Sequence, residues 1–199
     1  MKSRLRFKDF VIIFLALNSV GIGVSLLVRF NFGVDPISMF QLGISKQFDV
    51  TLGTASFIYN IIVLLLAIIL NPSKLGIGTL FYAVSVGWFI DLHSTWIQVI
   101  PSTFGIIFYL LGQLILCLGY ALMIYLDKGM TAIDSCIIHI KNRYMISYKK
   151  TRYIFDGLLC VLAFIMKVEF KLGLIFVYLT TGYFVELYLS IFKKNEIKK

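Results

Sequence analysis

Long apolar runs separated by short polar segments dominate the pattern of this chain. Formal charges are absent from residues 10–28, 50–73, 75–90 and 92–126. A helix needs about 20 apolar residues to cross the hydrocarbon core of a bilayer. The first two stretches therefore hold one span each, and the last finishes one span and supplies another after a break at Pro101. With two further runs near the C-terminus, the pattern predicts transmembrane helices at about 10–29, 52–71, 75–98, 104–126, 153–170 and 172–192.

The pattern also repeats about 96 positions along the chain. The stretch Gly87-Trp88-Phe89-Ile90-Asp91-Leu92 returns as Gly182-Tyr183-Phe184-Val185-Glu186-Leu187. Three spans per copy would turn the second copy upside down relative to the first, as in many transporters. We therefore predict an all-α polytopic membrane helix bundle, a single domain over residues 1–199 with inverted three-helix repeats at about 10–99 and 104–192. Residues 36–48 and 131–147 are too short to cross, and each is predicted to form a re-entrant or interfacial helix.

Composition agrees with a membrane protein. The chain of 199 residues is 59% hydrophobic and 15% charged, with a mean hydropathy of +0.90, which is too apolar for the surface of a soluble domain. If the N-terminus is cytoplasmic, only four of the 19 Lys and Arg residues fall outside: Arg29, Lys46, Lys167 and Lys171. The positive-inside rule then predicts that both termini are cytoplasmic. The net charge of +9 is explained by contact with anionic lipid of the bilayer, and no nucleic-acid surface is expected.

Carboxylates inside predicted spans are the first candidates for a site. A charge at a helix centre costs roughly 2.5–3.5 kcal/mol on insertion scales, so Asp91, Asp156 and Glu186 need a reason to be there. Asp91 and Glu186 occupy matching positions of the two copies, and Asp156 matches Asn60. Such groups could bind a cation or an amine, or pass protons. The structural alternative is hydration near an interface or an internal partner, and Arg152 is such a partner one turn before Asp156.

A turn before a short helix is the second candidate. Gly33 permits unusual backbone angles and Pro36 suits a first helical turn, which places Asp35 at the N-cap. Capping alone would explain Asp35, whereas a ligand at the helix N-terminus is the functional alternative. The counterpart in the second copy keeps Gly129 and a capping Thr131 but lacks the proline.

The remaining polar and small residues favour packing. Small residues at helical spacing predict close helix contacts: Ser19 with Gly23, Ala83 with Gly87, and Gly105, Gly112 and Gly119. Gln113 is a further candidate for substrate binding, although an interhelical hydrogen bond explains it better. No metal-ligand spacing, nucleophile motif or nucleotide loop occurs, so we expect no enzyme activity, metal or cofactor.

Several short motifs carry a resemblance to a known family. They are Gly21-Ile22-Gly23, Gly33-Val34-Asp35-Pro36, Leu42-Gly43-Ile44-Ser45, Leu52-Gly53-Thr54, Gly76-Ile77-Gly78-Thr79 and Gly87-Trp88-Phe89-Ile90-Asp91. In this arrangement the chain resembles the YczE/YyaS/YitT group of bacterial multi-pass membrane proteins, most closely in its first half. The resemblance implies a protein of the bacterial plasma membrane, with a transport or regulatory role suggested for the group.

Three function hypotheses follow. The first is a small permease or secondary-transporter-like protein for an unknown small solute or ion, in which Asp91 and Glu186 handle a cation or proton. The second is a non-transporting accessory or regulatory protein that docks a cytoplasmic partner through a basic loop: Lys141, Arg143, Lys149, Lys150 and Arg152. The third is the substrate-capture subunit of a multi-subunit importer, although helix one lacks the Ala-x-x-x-Ala face that docking would use. The small-residue faces leave a homodimer open as well.

Overall fold

All regular secondary structure in the computed structural model is helical, and the model describes residues 6–126 and 131–197. The α-helices of this part are α1 Phe7–Phe30, α2 Pro36–Phe48, α3 Leu52–Leu70, α4 Ile77–Ile97, α5 Gly105–Leu126, α6 Ala132–Tyr144, α7 Tyr148–Ile165 and α8 Leu172–Ile197. Short 3-10 turns occur at Pro72–Lys74 and Ser102–Phe104. The two predicted short helices are confirmed as α2 and α6.

Four segments are long and apolar enough to cross a membrane. They are Phe7–Phe30, Leu52–Leu70, Ser102–Leu126 and Leu172–Lys194. The other two predicted spans correspond to α4 and α7. Helix α4 ends in a polar segment with Asp91 and His93, and α7 carries Lys149, Lys150, Arg152 and Asp156. An all-helical membrane protein is therefore the fold class of this chain.

Helix α7 begins five residues earlier than predicted, at Tyr148 instead of residue 153, and ends at Ile165 instead of residue 170. Its start is set by Ser147, whose hydroxyl oxygen accepts a hydrogen bond from the backbone N–H of Lys150 at 3.4 Å. Its end precedes Lys167, which has a positive φ of 60°. The prediction was wrong here because it excluded charged residues from the helix, whereas a capped first turn accommodates them.

The described residues divide into two compact units. Unit 1 comprises residues 36–88 and 131–170, and unit 2 comprises residues 6–35, 89–126 and 171–197. Helix α4 contributes its first part to unit 1 and its second part to unit 2.

In unit 1, α2 packs against α3 and α7, and α6 packs against α3 and α7. One core cluster consists of Ile44, Ala55, Tyr59, Ile133, Ile137 and Leu159. A second cluster joins α3, α4 and α6 through Leu64, Ala67, Ala83, Ala132 and Cys136. The hydroxyl of Ser135 donates to the backbone oxygen of Asn71 at 3.0 Å. These helices are thus held by both apolar and polar contacts.

In unit 2, α1 and α5 pack closely along their whole length and run antiparallel. Gly119 lies against Ala16 and Val20, Gly112 against Leu26, and Gly105 against Phe30. A Cβ atom at Gly23 would stand 2.6 Å from the backbone nitrogen of Leu116, so only glycine allows this approach. The small-residue faces predicted from the sequence are confirmed at Gly23, Gly112 and Gly119.

Two further pairs of unit 2 run parallel. Along α5 and α8, Gln113 meets Thr181 and Tyr125 meets Phe192. Along α1 and the second part of α4, Phe14 meets Phe89, and the side chain of Asn18 lies 3.1 Å from Nε2 of His93. The contacts thus define the relative direction of the helices in each of these pairs of unit 2.

Candidate functional site

A charged cluster lies in unit 1, where the start of α6 meets the start of α7. Arg152 Nη1 donates to Asp134 Oδ1 at 3.1 Å, and Arg152 Nε donates to Asp156 Oδ2 at 3.0 Å. Asp156 is only 5% exposed. We call these three residues the ion cluster.

The local sequence places each member of the ion cluster. Thr131 is the N-cap of α6, accepting from the Asp134 N–H at 3.3 Å, and its hydroxyl donates to Asp134 Oδ2 at 2.6 Å. The carboxylate of Asp134 is thereby held at the first turn of α6, where the helix dipole favours a negative charge. Arg152 and Asp156 share one face of α7 because they are four residues apart.

The contact between Arg152 and Asp156 was predicted from the sequence and is confirmed. The contact between Arg152 and Asp134 was not predicted. Asp134 was not among the candidate carboxylates because it lies outside the predicted spans. The available signal was Thr131, three residues before Asp134, because a cap at that spacing orders the first helical turn. No sequence signal showed that Arg152 reaches a second helix.

The positions 96 residues earlier carry neutral polar side chains. Ser38, Ser56 and Asn60 stand where the second half has Asp134, Arg152 and Asp156. All three are buried, and Asn60 Nδ2 donates to the backbone oxygen of Ser56 at 2.8 Å. Each half thus has a pair of interacting polar residues four positions apart on one helix. The pair is neutral in the first half, Ser56 with Asn60, and ionic in the second, Arg152 with Asp156.

A second polar group lies in unit 2, between α5 and α8. The side chain of Gln113 is fully buried, with 0% exposure. Its Nε2 donates to Thr181 Oγ1 at 3.0 Å and lies 3.3 Å from Thr180 Oγ1. The predicted interhelical hydrogen bond of Gln113 is therefore confirmed.

Asp91 and Glu186 lie outside both groups. Asp91 is half-buried on α4 and Glu186 is exposed on α8. Their role in binding an ion stays a prediction, as does that of Asn60.

The predicted turn before α2 has the expected geometry. Gly33 has a φ of 142°, which other residues rarely adopt, and α2 begins at Pro36. The turn lies against the start of α8, where the Gly173 N–H donates to the Phe32 backbone oxygen at 2.9 Å. Asp35 is buried directly before the helix. The counterpart residue Gly129 lies outside the described residues.

The residues of the predicted basic loop lie in two different environments. Lys141, Arg143 and Lys150 are exposed, whereas Arg152 is directed toward two carboxylates of unit 1. The side chain of Lys149 lies outside the described part of the chain. Within residues 6–126 and 131–197, no three His, Cys, Asp or Glu side chains converge as a metal site would require.

Comparison with known proteins gives a family without an assigned activity. The model of a family of unknown function, DUF6198, matches residues 7–190. An uncharacterized protein of Haemophilus influenzae is 27% identical over 189 residues, covering 94% of this chain and 85% of the relative. The uncharacterized protein YyaS of Bacillus subtilis is 24% identical over 187 residues, covering 90% and 92%. No solved structure matches significantly. The motifs shared with the YyaS-type group and the match over nearly the whole chain show that this protein belongs to the DUF6198 family.

Proposed function

We propose that this protein is a small permease of the bacterial plasma membrane, in which the ion cluster handles a coupling proton or cation. The observation that carries the proposal is the position of Arg152 between two carboxylates of a partly buried cluster. Two carboxylates share one guanidinium in this cluster. Such a group of charges in a membrane protein is suited to take up and release one proton or one small cation.

Packing alone does not require these charges. Desolvation of a buried ion pair often offsets its attraction, and neutral replacements of similar size are often as stable. The first half of the chain fills the matching positions with Ser38, Ser56 and Asn60. Charged groups within membrane proteins are expected by default to mark ion or substrate pathways, which supports a functional reading of Asp134 and Asp156.

Inverted repeats, the second part of the proposal, are supported by the pairing of α1 with α5. These helices are equivalent under the 96-residue offset, and they run antiparallel. Their contacts are also reciprocal: Gly23 lies on Leu116, and Gly119 lies on Val20, which is 96 positions before Leu116. Reciprocal contacts are the property of a two-fold interface. A two-fold axis between antiparallel helices is perpendicular to them, so for membrane-spanning helices it lies in the membrane plane, as inverted repeats require.

The helices of unit 1 show the same correspondence between positions 96 residues apart. Adding 96 to the residue numbers of α2 and α3 gives the starts of α6 and α7. The pair α2 with α7 then corresponds to the pair α6 with α3, and both pairs are in contact. Asp49 and Met145, again 96 apart, both have positive φ, at 52° and 55°.

Six spans with cytoplasmic termini complete the proposal, and they can be separated from four spans by labelling. In a cysteine-free background, Val99→Cys and Met145→Cys place thiols at residues that are 84% and 89% exposed. With six spans, a membrane-impermeant maleimide added to intact cells labels Val99→Cys and spares Met145→Cys. If only α1, α3, α5 and α8 cross, the two results are exchanged.

The transport proposal is tested by solute and proton flux in proteoliposomes across a panel of small molecules. The informative variant is the triple replacement Asp134→Ser, Arg152→Ser and Asp156→Asn, which installs the residues found 96 positions earlier. Flux should be lost while folding is retained. The matched control is Asp49→Asn, an exposed carboxylate of unit 1 at a left-handed position that asparagine tolerates.

Two further variants test the carboxylate pair predicted from the repeat. Loss of flux in Asp91→Asn and Glu186→Gln, with flux retained in the triple variant, would move the ion site to that pair. Absence of any flux from folded native protein would contradict the permease proposal.

A docking role is the second candidate function, and the surface near the end of α6 favours it. Tyr144 and Met145 are exposed beside Arg143 and Lys141, which gives a basic surface with apolar residues. Photocrosslinking from Met145 in cells should capture one defined protein if docking is the function. Lipid contacts alone would count against it.

A further inference from the structure

Helix α5 carries a line of buried polar side chains in unit 2. Tyr109, Gln113 and Cys117 lie one turn apart and therefore on one face of the helix. All three are at least nine-tenths buried, with exposures of 5%, 0% and 0%. The hydroxyl of Tyr109 and Oε1 of Gln113 have no hydrogen-bond partner among the described residues. Buried polar atoms are nearly always hydrogen-bonded in native proteins, so these two atoms point to a ligand.

The orientation of the Gln113 amide follows from the chemistry of α8. Thr180 donates its hydroxyl to the Phe176 backbone oxygen at 2.7 Å, and Thr181 donates to the Val177 backbone oxygen at 2.6 Å. Both threonines are left with lone pairs, so they accept from the Gln113 N–H groups and cannot donate to its oxygen. The Gln113 carbonyl oxygen is thereby directed away from them, as an acceptor.

A surface pocket adjoins the first residue of this line. Its volume is about 410 Å³, and it is lined by Phe32 and by residues 102–107. The ring of Phe32 packs edge-on against the ring of Tyr109, with centroids 5.4 Å apart. Phe32 therefore contacts the pocket on one side and the Tyr109 ring on the other.

A buried carboxylate belongs to the same region. Asp35 is buried two residues after Gly33, which lies against Gly173, and Gly173 in turn lies against the Tyr109 hydroxyl. A carboxylate and two oxygen acceptors favour a positively charged ligand that carries N–H donors.

We propose that the Tyr109 hydroxyl and Gln113 Oε1, with the charge of Asp35 nearby, form a binding site for a small organic cation with N–H groups, of the alkylammonium or guanidinium class. The ligand enters past Phe32 from the pocket. This site is separate from the ion cluster, and binding there requires no transport.

The test is equilibrium binding of radiolabelled methylammonium and guanidinium to the purified full chain in lipid nanodiscs, without any gradient. At least one cation should bind saturably. Unlabelled cation should displace it, and tetramethylammonium, which has no N–H group, should not. Gln113→Leu should weaken binding about tenfold or more, because a hydrogen bond to a charged donor is lost. Gln98→Leu, an exposed amide of the same unit, should leave the Kd unchanged.

Tyr109→Phe keeps the result interpretable if Gln113→Leu fails to fold. It retains the ring that packs on Phe32 and Phe176, and it should also weaken binding. Folded native protein that binds neither cation overturns the proposal, as does binding that both variants leave intact or that tetramethylammonium displaces equally well. Failure of transport with binding intact would contradict only the proposed permease function.

Discussion

Unit 1 and unit 2 hold their helices together in different ways. The helices of unit 1 meet through polar side chains, with Arg152 joining α6 to α7 and Ser135 joining α6 to the end of α3. The central pair of unit 2 meets backbone to backbone at Gly23, Gly112 and Gly119. Lipid tails are as apolar as leucine, so burial of apolar area drives helix association little in a bilayer. Close packing and buried polar contacts remain: the α1–α5 pair of unit 2 relies on close packing, whereas the contacts of α6 with α7 and with the end of α3 in unit 1 include polar side chains.

This difference indicates which substitutions each unit tolerates. A backbone contact has no freedom to adjust, whereas a side-chain network can be exchanged for another of similar shape. Unit 2 is therefore expected to resist larger residues at its helix crossing. Unit 1 is expected to accept coordinated replacements while losing its charge.

The largest effect is expected from Gly23→Leu in unit 2. The added side chain would meet the backbone of Leu116, which cannot move aside, and we expect a loss of about 3 kcal/mol or more in unfolding free energy. Unfolding in mixed micelles measures it. Gly157→Ala and Gly182→Ala are the controls, because nothing lies within 4 Å of a Cβ at either position. Each should be neutral or stabilising by up to about 1 kcal/mol; equal losses at all three positions would contradict the close-packing account.

The next effect is expected from Arg152→Met in unit 1. Removal of the guanidinium leaves Asp134 and Asp156 without their shared partner, which should cost about 2–3 kcal/mol, less than for a fully buried pair because the arginine side chain is 30% exposed. Arg152→Lys keeps a positive charge beside the carboxylates and should lose less. An equal loss in Arg152→Lys and Arg152→Met would mean that Arg152 acts by packing alone.

The triple variant sharpens the comparison between the halves. Asp134→Ser, Arg152→Ser and Asp156→Asn together should return the unfolding free energy to within about 1 kcal/mol of the native value. The difference in unfolding free energy between the triple variant and Arg152→Met gives the cost of removing the guanidinium while both carboxylates remain. A triple variant less stable than Arg152→Met would show that the ions themselves hold unit 1 together.

The smallest effect is expected at the hydrogen bond from Gln113 to Thr181, which joins α5 to α8 in unit 2. A double-mutant cycle of Gln113→Leu and Thr181→Val should give a coupling of about 0.5–1 kcal/mol, typical of interhelical hydrogen bonds in membranes. The same unfolding measurement on both single variants and the double variant supplies the value. A coupling near zero would mean that Gln113 is not oriented by α8.

Much of the helical framework was predictable from local pattern. Residues 36–48 were delimited correctly as a short helix because Gly33 and Pro36 mark the turn before it, and Thr131 does the same for α6. The start of α7 was missed because the closely spaced positive charges there are typical of a loop. These charges belong to Lys149, Lys150 and Arg152. For the candidate site, the Arg152 to Asp156 pair followed from helical spacing. Asp134 could not be added to it, because that contact joins residues 18 positions apart on two helices.

The sequence by itself determined that this chain is an all-helical membrane protein, because run length, hydropathy and glycine spacing act locally along the chain. Only the tertiary structure decided which polar groups meet. Asp134 and Asp156 converge on Arg152, while Gln113 faces two threonines of α8 and directs its oxygen away from them. Glu186, the matching carboxylate of the repeat, remains exposed. The physical reason is that a charge or an amide acquires its role from its partners across helices, and helix packing sets those partners.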